Sequence, residues 1–166
     1  LKQILKNTVN KVFGYVRANG TLACVPADQQ PDGKGGDIWE RKYVMLGLSQ
    51  YYAHIEKDPR VLKLMIDEAN SVIDQIGDAP KKDINSQGWS RTGIESYSVM
   101  EPMMRLYKLT GDKRYLDFCT YLIEKGGCRG ANIFQESLDN VRPRKMGNGY
   151  PKAYEMLSVY EGLAEY

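Results

Sequence analysis

The sequence predicts an all-α fold built from helical hairpins, and three observations support this class. Apolar residues recur at three- and four-residue spacing over long segments, which is the pattern of one buried helix face. Short turns that contain Asp next to Gly or Pro separate these segments. A related stretch also occurs twice, as MLGLSQYYAHIEKDPRVLKL from Met45 and as MEPMMRLYKLTGDKRYLDF from Met100. Repetition of a helix, a tight turn and a second helix indicates a hairpin architecture.

Length and composition favour one globular domain over residues 1–166. The chain has 166 residues, of which 42% are hydrophobic, and this is enough to form a core. Its 23 Lys and Arg residues against 21 Asp and Glu residues give a net charge of +2, without a long run of either sign. We therefore expect neither a nucleic acid nor a membrane as partner.

Two segments are predicted to be outer helices, because each has one apolar face and one polar face. The first runs over Asp58–Gly77, with Asp58 as N-cap, Pro59 in the first helical position and Gly77 as the stop. The second runs over Asp112–Lys125, after Gly111 ends the preceding helix. Both helices thus begin at a capping Asp that directly follows a tight turn.

Three more apolar segments are predicted to be inner helices, over Trp39–Ile55, Ile94–Leu109 and Tyr154–Tyr166. An alignment of these segments without gaps gives a period of 55 to 60 residues and produces two informative columns. The columns contain Glu40, Glu95 and Glu155, and Gly47, Pro102 and Gly162. The second column predicts close backbone approach or a shared kink; the alternative is that the second inner helix simply starts near Pro102.

The connections between these helices differ in length in a regular way. Turns from inner to outer helices are short, whereas the three other connections are long and rich in Gly, Pro, Asn and Asp: Ala18–Asp37, Asp78–Gly93 and Gly126–Gly149. All long loops should therefore meet at one end of the hairpins, together with the N-termini of the inner helices. We call this the loop end and the opposite one the turn end, and expect function at the loop end.

The repeat and its sequence motifs resemble those of a known enzyme family. Inner helices followed by capped outer helices at this period are the pattern of an (α/α)6 toroid. The stretch from Met100 to Phe118, the stretch KAYEMLSVYEGLAEY from Lys152 and IWERKYVMLGLSQYY from Ile38 resemble glycoside hydrolase family 127, the β-L-arabinofuranosidase-like family. The resemblance implies a glycosidase acting on arabinose-containing or related plant-type glycans. It also implies that this chain is an incomplete toroid, part of a longer catalytic domain and inactive alone.

The resemblance further implies a zinc-bound cysteine nucleophile in a segment downstream of the matched part. None of Cys24, Cys119 and Cys128 falls in such a motif, so no nucleophile, metal ligand or cofactor is assigned in this chain, although zinc is possible in the full-length family. Cys119 lies on an apolar helical face and is predicted to be a buried thiol. His54, the single histidine, falls near a helix C-terminus, where the helix dipole explains it.

Glycoside hydrolysis commonly uses two carboxyl groups, which makes the glutamate column the source of catalytic candidates. Glu40 and Glu155 are the candidates, and Glu95 is expected to bind substrate with them. Each lies in a first helical turn, where the helix dipole favours a negative charge, so a base or an acceptor for sugar hydroxyls fits better than an acid. The alternative is that all three only cap their helices. Glu101, beside Pro102, is interpreted as a packing or salt-bridge residue.

Aromatic and cationic residues at the same helix starts complete the predicted substrate site. An indole or phenol ring offers a flat apolar face and one polar edge to a sugar, while a cation can donate to hydroxyls or to a uronate. The aromatic residues are Trp39, Trp89 and Tyr154, with Tyr150 nearby, and the cations are Arg41, Arg91 and Lys152. Plugging of the core and solvated surface charge are the respective alternatives.

Three functions stay open at this stage. The leading one is a glycosidase acting on an oligosaccharide or polysaccharide. A second keeps the toroid but makes it a sugar epimerase or an unsaturated-uronide hydrolase. A third is a helical-repeat module that binds protein. Because an incomplete ring leaves inner helices uncovered, we also expect open apolar faces near Leu157, Val159 and Leu163 and self-association through them.

Overall fold

A computed structural model describes residues 1–23, 36–147 and 151–166, and it confirms the helical prediction. The α-helices are α1 Lys2–Val12, α2 Asp37–His54, α3 Pro59–Gln75, α4 Ile94–Tyr97, α5 Met100–Thr110, α6 Lys113–Glu124, α7 Ile133–Leu138 and α8 Ala153–Glu165. Short 3-10 turns occur at Phe13–Tyr15, Ile84–Ser86 and Pro143–Lys145. In the described ranges, the extended elements are the two-residue strands β1 Gly127–Cys128 and β2 Ala131–Asn132.

Both outer helices begin as the sequence predicts. The Asp58 side chain accepts a hydrogen bond from Arg60 N at 2.8 Å, and that of Asp112 accepts one from Arg114 N at 3.0 Å. Each capping Asp also binds the guanidinium of the same arginine, at 2.6 Å and 2.7 Å respectively. Asp and Arg two positions apart therefore form the same device twice.

The second inner helix is not continuous, in contrast to the prediction over Ile94–Leu109. It divides into α4 and α5 with Ser98 and Val99 between them. Pro102 has no N–H to donate to the carbonyl of Ser98, and its ring disfavours a continuous helix through Ser98 and Val99. The interpretation that a helix starts near Pro102 is thus the better one, although α5 starts at Met100.

The two glycines in the column of Gly47, Pro102 and Gly162 have different surroundings. A Cβ on Gly162 would lie 2.8 Å from Met100 Cβ and 2.9 Å from Glu101 N, so α8 and α5 approach closely there. A Cβ on Gly47 would meet nothing within 4 Å. The prediction of close approach is confirmed for Gly162 and wrong for Gly47. Positions that align in the repeat therefore have different neighbours in the structure.

The core lies between the two hairpins and α8. Helix α2 packs on α3, and α5 packs on α6, α8 and α2, so α5 is the most enclosed helix. Val159 of α8 is fully buried, which corrects the expectation that it lies on an open face. Leu157 points away and is exposed, and Leu163 is half-buried. Self-association through the Leu157 face and closure of the hairpins into a toroid both stay predictions.

The third long connection contains local structure that the sequence reasoning did not identify. Strands β1 and β2 pair antiparallel, with Gly127 opposite Asn132 and Cys128 opposite Ala131. Gly127 has a φ of +77°, and a Cβ there would lie 2.8 Å from the Ile133 side chain, so this position needs glycine. The hairpin carries Arg129 at its turn, toward the loop before α4.

Candidate functional site

Four aromatic side chains meet at the loop end, and we call them the aromatic cluster: Trp39, Tyr43, Trp89 and Tyr154. Trp39 is at the centre, with edge-to-face contacts to Tyr43 (centroids 5.1 Å apart), Trp89 (5.9 Å) and Tyr154 (5.7 Å). The hydroxyls of Tyr43 and Tyr154 are hydrogen-bonded to each other. Three predicted aromatic residues thus converge, and Tyr43 was missed although it lies one helical turn after Trp39 on α2.

Trp89 comes from the loop before α4, and Glu95 holds that loop in place. Glu95 is fully buried; its Oε1 accepts hydrogen bonds from the backbone N–H groups of Trp89 and, at 2.7 Å, Ser90. Ser90 Oγ donates to Oε2. Gly88 has a φ of +86°, and a Cβ there would lie 2.5 Å from Glu95 Oε1, which explains the glycine. Glu95 therefore positions Trp89 instead of facing a ligand.

Arg129 holds the same loop from the other side and was not among the predicted residues. Its guanidinium donates to four backbone carbonyls, those of Asn85, Gln87 (2.9 Å), Ser90 (3.5 Å) and Arg91 (3.2 Å). Its backbone N–H donates to Thr92 O at 2.6 Å. An arginine with five donors suits a cluster of carbonyls. Only the pairing of β1 with β2 brings Arg129 there, so this role was not predictable from the sequence.

The two catalytic candidates differ in their surroundings. Glu40 is half-buried. It lies beside Trp89, because both side chains approach the same point at Gly36: a Cβ built on Gly36 would lie 3.2 Å from Glu40 Oε1 and 3.5 Å from the Trp89 ring. Glu155 is buried; its Oε1 binds Lys152 Nζ at 3.1 Å, while its Oε2 has no hydrogen-bond partner. A buried acceptor without a donor is costly, and this oxygen is closed to solvent.

Arg41 lies elsewhere than expected. It is buried between α2 and α3, where its guanidinium binds Asp37 at 3.2 Å and Ser71 Oγ at 3.0 Å and lies 3.8 Å from Glu68 Oε2. The other oxygen of Glu68 accepts a hydrogen bond from Leu22 N. Burial raises the pKa of Glu68 to about 7. Arg41 thus belongs to an ionic cluster inside the hairpin, because its position on α2 faces α3 rather than the aromatic cluster.

The remaining predicted site residues lie at the surface of the loop end. Lys152 caps α8 and is exposed apart from its ion pair with Glu155. Arg91 is exposed in the turn before α4. Tyr150 and Cys24 fall outside the described residues.

The described thiols do not fit a metal site. Cys119 and Cys128 are fully buried, and burial raises the pKa of Cys119 to about 12 and that of Cys128 to about 11, far from the thiolate that a metal binds. Their sulfur atoms lie near backbone carbonyls, Met100 O at 3.6 Å and Ala131 O at 3.7 Å. Residues 1–23, 36–147 and 151–166 contain no group of three or more His, Cys, Asp or Glu that could hold a metal ion. The prediction of a buried Cys119 is confirmed.

The turn end has a different surface. His54, the last residue of α2, lines a cleft of about 400 Å³ with Lys57, Arg105 and Lys108. Lys108 is paired with Glu165 at 2.6 Å and Arg105 with Glu101 at 2.9 Å, so these two cations already have partners. None of the helices in the described part of the chain has the length and hydropathy that a membrane span needs.

This chain combines helical hairpins with an aromatic and acidic loop end, an arrangement typical of carbohydrate-active proteins. Comparison with protein families then identifies it more closely: the β-L-arabinofuranosidase GH127 catalytic domain matches residues 1–163. The chain belongs to this family and is therefore a member of the glycoside hydrolases. Comparisons with curated proteins and with solved structures gave no match.

Proposed function

We propose that this chain binds an arabinose-containing glycan at its loop end, as the sugar-binding side of a glycosidase. The observation that carries the proposal is the aromatic cluster. In a chain of the GH127 family, it brings residues of α2, α8 and the loop before α4 to one surface. Tyr154 and Trp89 are 61% and 49% exposed, so ring faces are open to a ligand.

The carboxylates complete this surface in different roles. Glu155 is proposed as one acceptor for a sugar hydroxyl, because no described group donates to its Oε2; this oxygen is closed to solvent, so the hydroxyl must displace the side chains that cover it. Glu40, beside Trp89, is the second acceptor or base. Glu95 acts only through the loop that it holds. We expect this chain alone to bind sugar with little turnover, because no nucleophile is assigned in it.

Tryptophan fluorescence offers a direct test. The chain contains two tryptophans, Trp39 and Trp89, and both are in the aromatic cluster, so any ligand-induced change reports on this surface. We expect methyl β-L-arabinofuranoside to change the emission in a saturable way. The variant Tyr154→Ala should weaken the affinity by about 3- to 10-fold, the effect of one aromatic contact.

Tyr15→Ala is the matched control, because Tyr15 is also an exposed tyrosine, in the segment after α1, and lies outside the aromatic cluster. Equal losses in both variants, or no emission change with any sugar, would contradict the proposal. Preferential binding of D-glucuronate would instead favour the reading as an unsaturated-uronide hydrolase.

A further inference from the structure

Three exposed cations lie close together in the chain after α7, and we call them the basic segment: Arg142, Arg144 and Lys145. With Lys152, residues 140–152 contain four cations and no acidic residue. The whole chain has a net charge of only +2, so the rest of the chain is net negative. Positive charge is therefore concentrated at this place in the molecule.

The two arginines of the basic segment differ from the other arginines of the described ranges. Both are exposed, and neither side chain makes a hydrogen bond, an ion pair or a ring contact within the described residues. The other arginines all have partners, in ion pairs, on backbone carbonyls or in further contacts: Arg17, Arg41, Arg60, Arg91, Arg105, Arg114 and Arg129. An exposed guanidinium without a partner keeps its five N–H donors for a ligand.

The backbone of the basic segment is held in place by groups that point into the protein. Met146 is buried, and its Sδ lies 3.9 Å from the hydroxyl of Tyr160 on α8. Gly147 N donates to Glu136 Oε2 at 2.8 Å. Pro143 fixes φ at the first position of the 3-10 turn. Because the support is formed in advance, a ligand loses little backbone entropy when it binds there.

The basic segment lies next to the start of α8, which carries one residue of the aromatic cluster. A Cβ on Gly147 would lie 3.3 Å from Pro151 Cγ, so the end of the segment contacts the residue before the N-cap of α8. Tyr154 follows Pro151 by three residues, which is less than one helical turn. A polymer of several sugars can therefore contact both surfaces.

The side chains indicate a ligand with several carboxylates. A guanidinium offers two parallel N–H donors to the two oxygens of a carboxylate, and the basic segment contains two guanidiniums. The acidic residues just before it do not compete for them. Glu136 is bound to Gly147 N, and Asp139 accepts a hydrogen bond from a neighbouring glutamine side chain at 2.9 Å.

We propose that the basic segment binds the carboxylates of an acidic polysaccharide, a polymer that contains uronic acids, beside the surface assigned to the arabinoside. In a chain of a glycoside hydrolase family, such a polymer is the ligand that presents a row of carboxylates. The inference goes beyond the proposed function, because it concerns a second surface with a different chemistry. A nucleic acid fits less well, since the net charge of +2 is small for a chain that binds phosphates.

The test measures the fluorescence anisotropy of a labelled oligogalacturonide at low salt. Replacement of the whole basic segment, by Arg142→Gln, Arg144→Gln and Lys145→Gln together, should weaken binding about 10-fold, the combined effect of three exposed charge pairs. Added salt should weaken binding to the wild type, and a labelled neutral maltooligosaccharide of the same length should not bind.

The matched control removes three exposed lysines from α1 and α6, by Lys2→Gln, Lys11→Gln and Lys113→Gln together. It changes the net charge by the same amount and should alter the affinity by less than about 2-fold. A second variant, Arg142→Lys with Arg144→Lys, keeps the charge but loses the paired donors. It should weaken binding by about 2- to 5-fold, and it keeps the inference testable if the first variant does not fold.

The outcomes separate this inference from the proposed function. Equal affinities of the wild type and both variants of the basic segment for the oligogalacturonide would overturn the inference. Tighter binding of duplex DNA, or of vesicles of anionic lipid, would overturn it as well. The arabinoside titration by tryptophan fluorescence tests the proposed function separately, because it reports on the aromatic cluster. Binding of the oligogalacturonide without any binding of the arabinoside would support the inference and overturn the proposed function.

Discussion

The two ends of the helical hairpins use the same interaction, a carboxylate that accepts hydrogen bonds from backbone N–H groups, in two different environments. At the turn end, Asp58 and Asp112 do this in contact with solvent. At the loop end, Glu95 and Glu68 do it fully buried, and each holds a connecting segment instead of a helix start. The difference shows that tight turns are stabilised locally, whereas the connections that carry Leu22 and Trp89 depend on buried charged side chains.

This arrangement has a consequence for function. The segment that carries Trp89 is held by backbone hydrogen bonds to two side chains, Glu95 and Arg129. Hydrogen bonds to a buried carboxylate are stronger than those to an exposed carboxylate. The buried Glu95 therefore holds the loop of Trp89 more firmly than an exposed carboxylate would. The loop end thus combines an open ligand surface with a rigid support.

The largest effect is expected for Glu95→Ala. It leaves the N–H groups of Trp89 and Ser90 without their acceptor and creates a cavity, which should lower the free energy of unfolding by about 3 kcal/mol or more. Urea denaturation measures this loss. Trp89 should also become more mobile, with a red-shifted emission before unfolding.

Glu124→Ala is the control for this change, because Glu124 is an exposed glutamate at the end of α6. It should alter the stability by less than about 0.5 kcal/mol. If Glu95→Ala were equally mild, the distinction between the two ends would be lost.

The second effect is a pH dependence that Glu68 imposes. Its pKa is about 7 in the folded protein against an ordinary value of 4.5, so the folded state binds the proton more tightly. The contribution of Glu68 to stability is therefore fully present below its ordinary pKa and is lost as the pH rises through about 7. The size is about 3 kcal/mol, since one pKa unit corresponds to about 1.4 kcal/mol.

Glu68→Gln removes this titration. Relative to the wild type, the variant should gain about 3 kcal/mol of stability between about pH 4.5 and about pH 8 in parallel urea titrations. Parallel profiles of the two proteins over this range would show that Glu68 titrates normally. Glu124→Gln provides the exposed counterpart.

The smallest effect belongs to the turn end. Asp112→Ala should cost about 1 kcal/mol, the usual value of an N-cap, and Asp58→Ala a similar amount. Thermal denaturation of both variants and of Asp112→Asn, which retains an acceptor, measures the caps. A loss in Asp112→Ala as large as that in Glu95→Ala would remove the contrast between local and buried support.

The sequence predicted those parts of the fold that depend on neighbours in the chain. The outer helices and their capping residues are confirmed, because a capping Asp and the backbone N–H that donates to it lie two residues apart. Gly111 ends α5 with a φ of +74°, as its position implied. The break between α4 and α5 was less accessible, since Pro102 is compatible with both a kink and a helix start.

The candidate site was predictable in part, for a related reason. The aromatic residues at helix starts were found because their position in the repeat brings them to one end. The role of each charged residue was not predicted, because it depends on which face of the helix is buried. Arg41 faces α3 and Lys42 faces the aromatic cluster, although they are adjacent in the chain. A helix rotates by about 100° per residue, so neighbours point in different directions.

By itself the sequence determined that this protein is a set of capped helical hairpins of the GH127 family, because periodicity, caps and repeated sequence motifs are local properties of the chain. Only the tertiary structure decided how the charges are used. Glu68 meets Leu22 across 46 residues of chain, and Arg129 meets Gln87 across 42. Contacts over such separations arise from packing, which fixes the burial and the hydrogen-bond partner of each side chain and hence its chemistry.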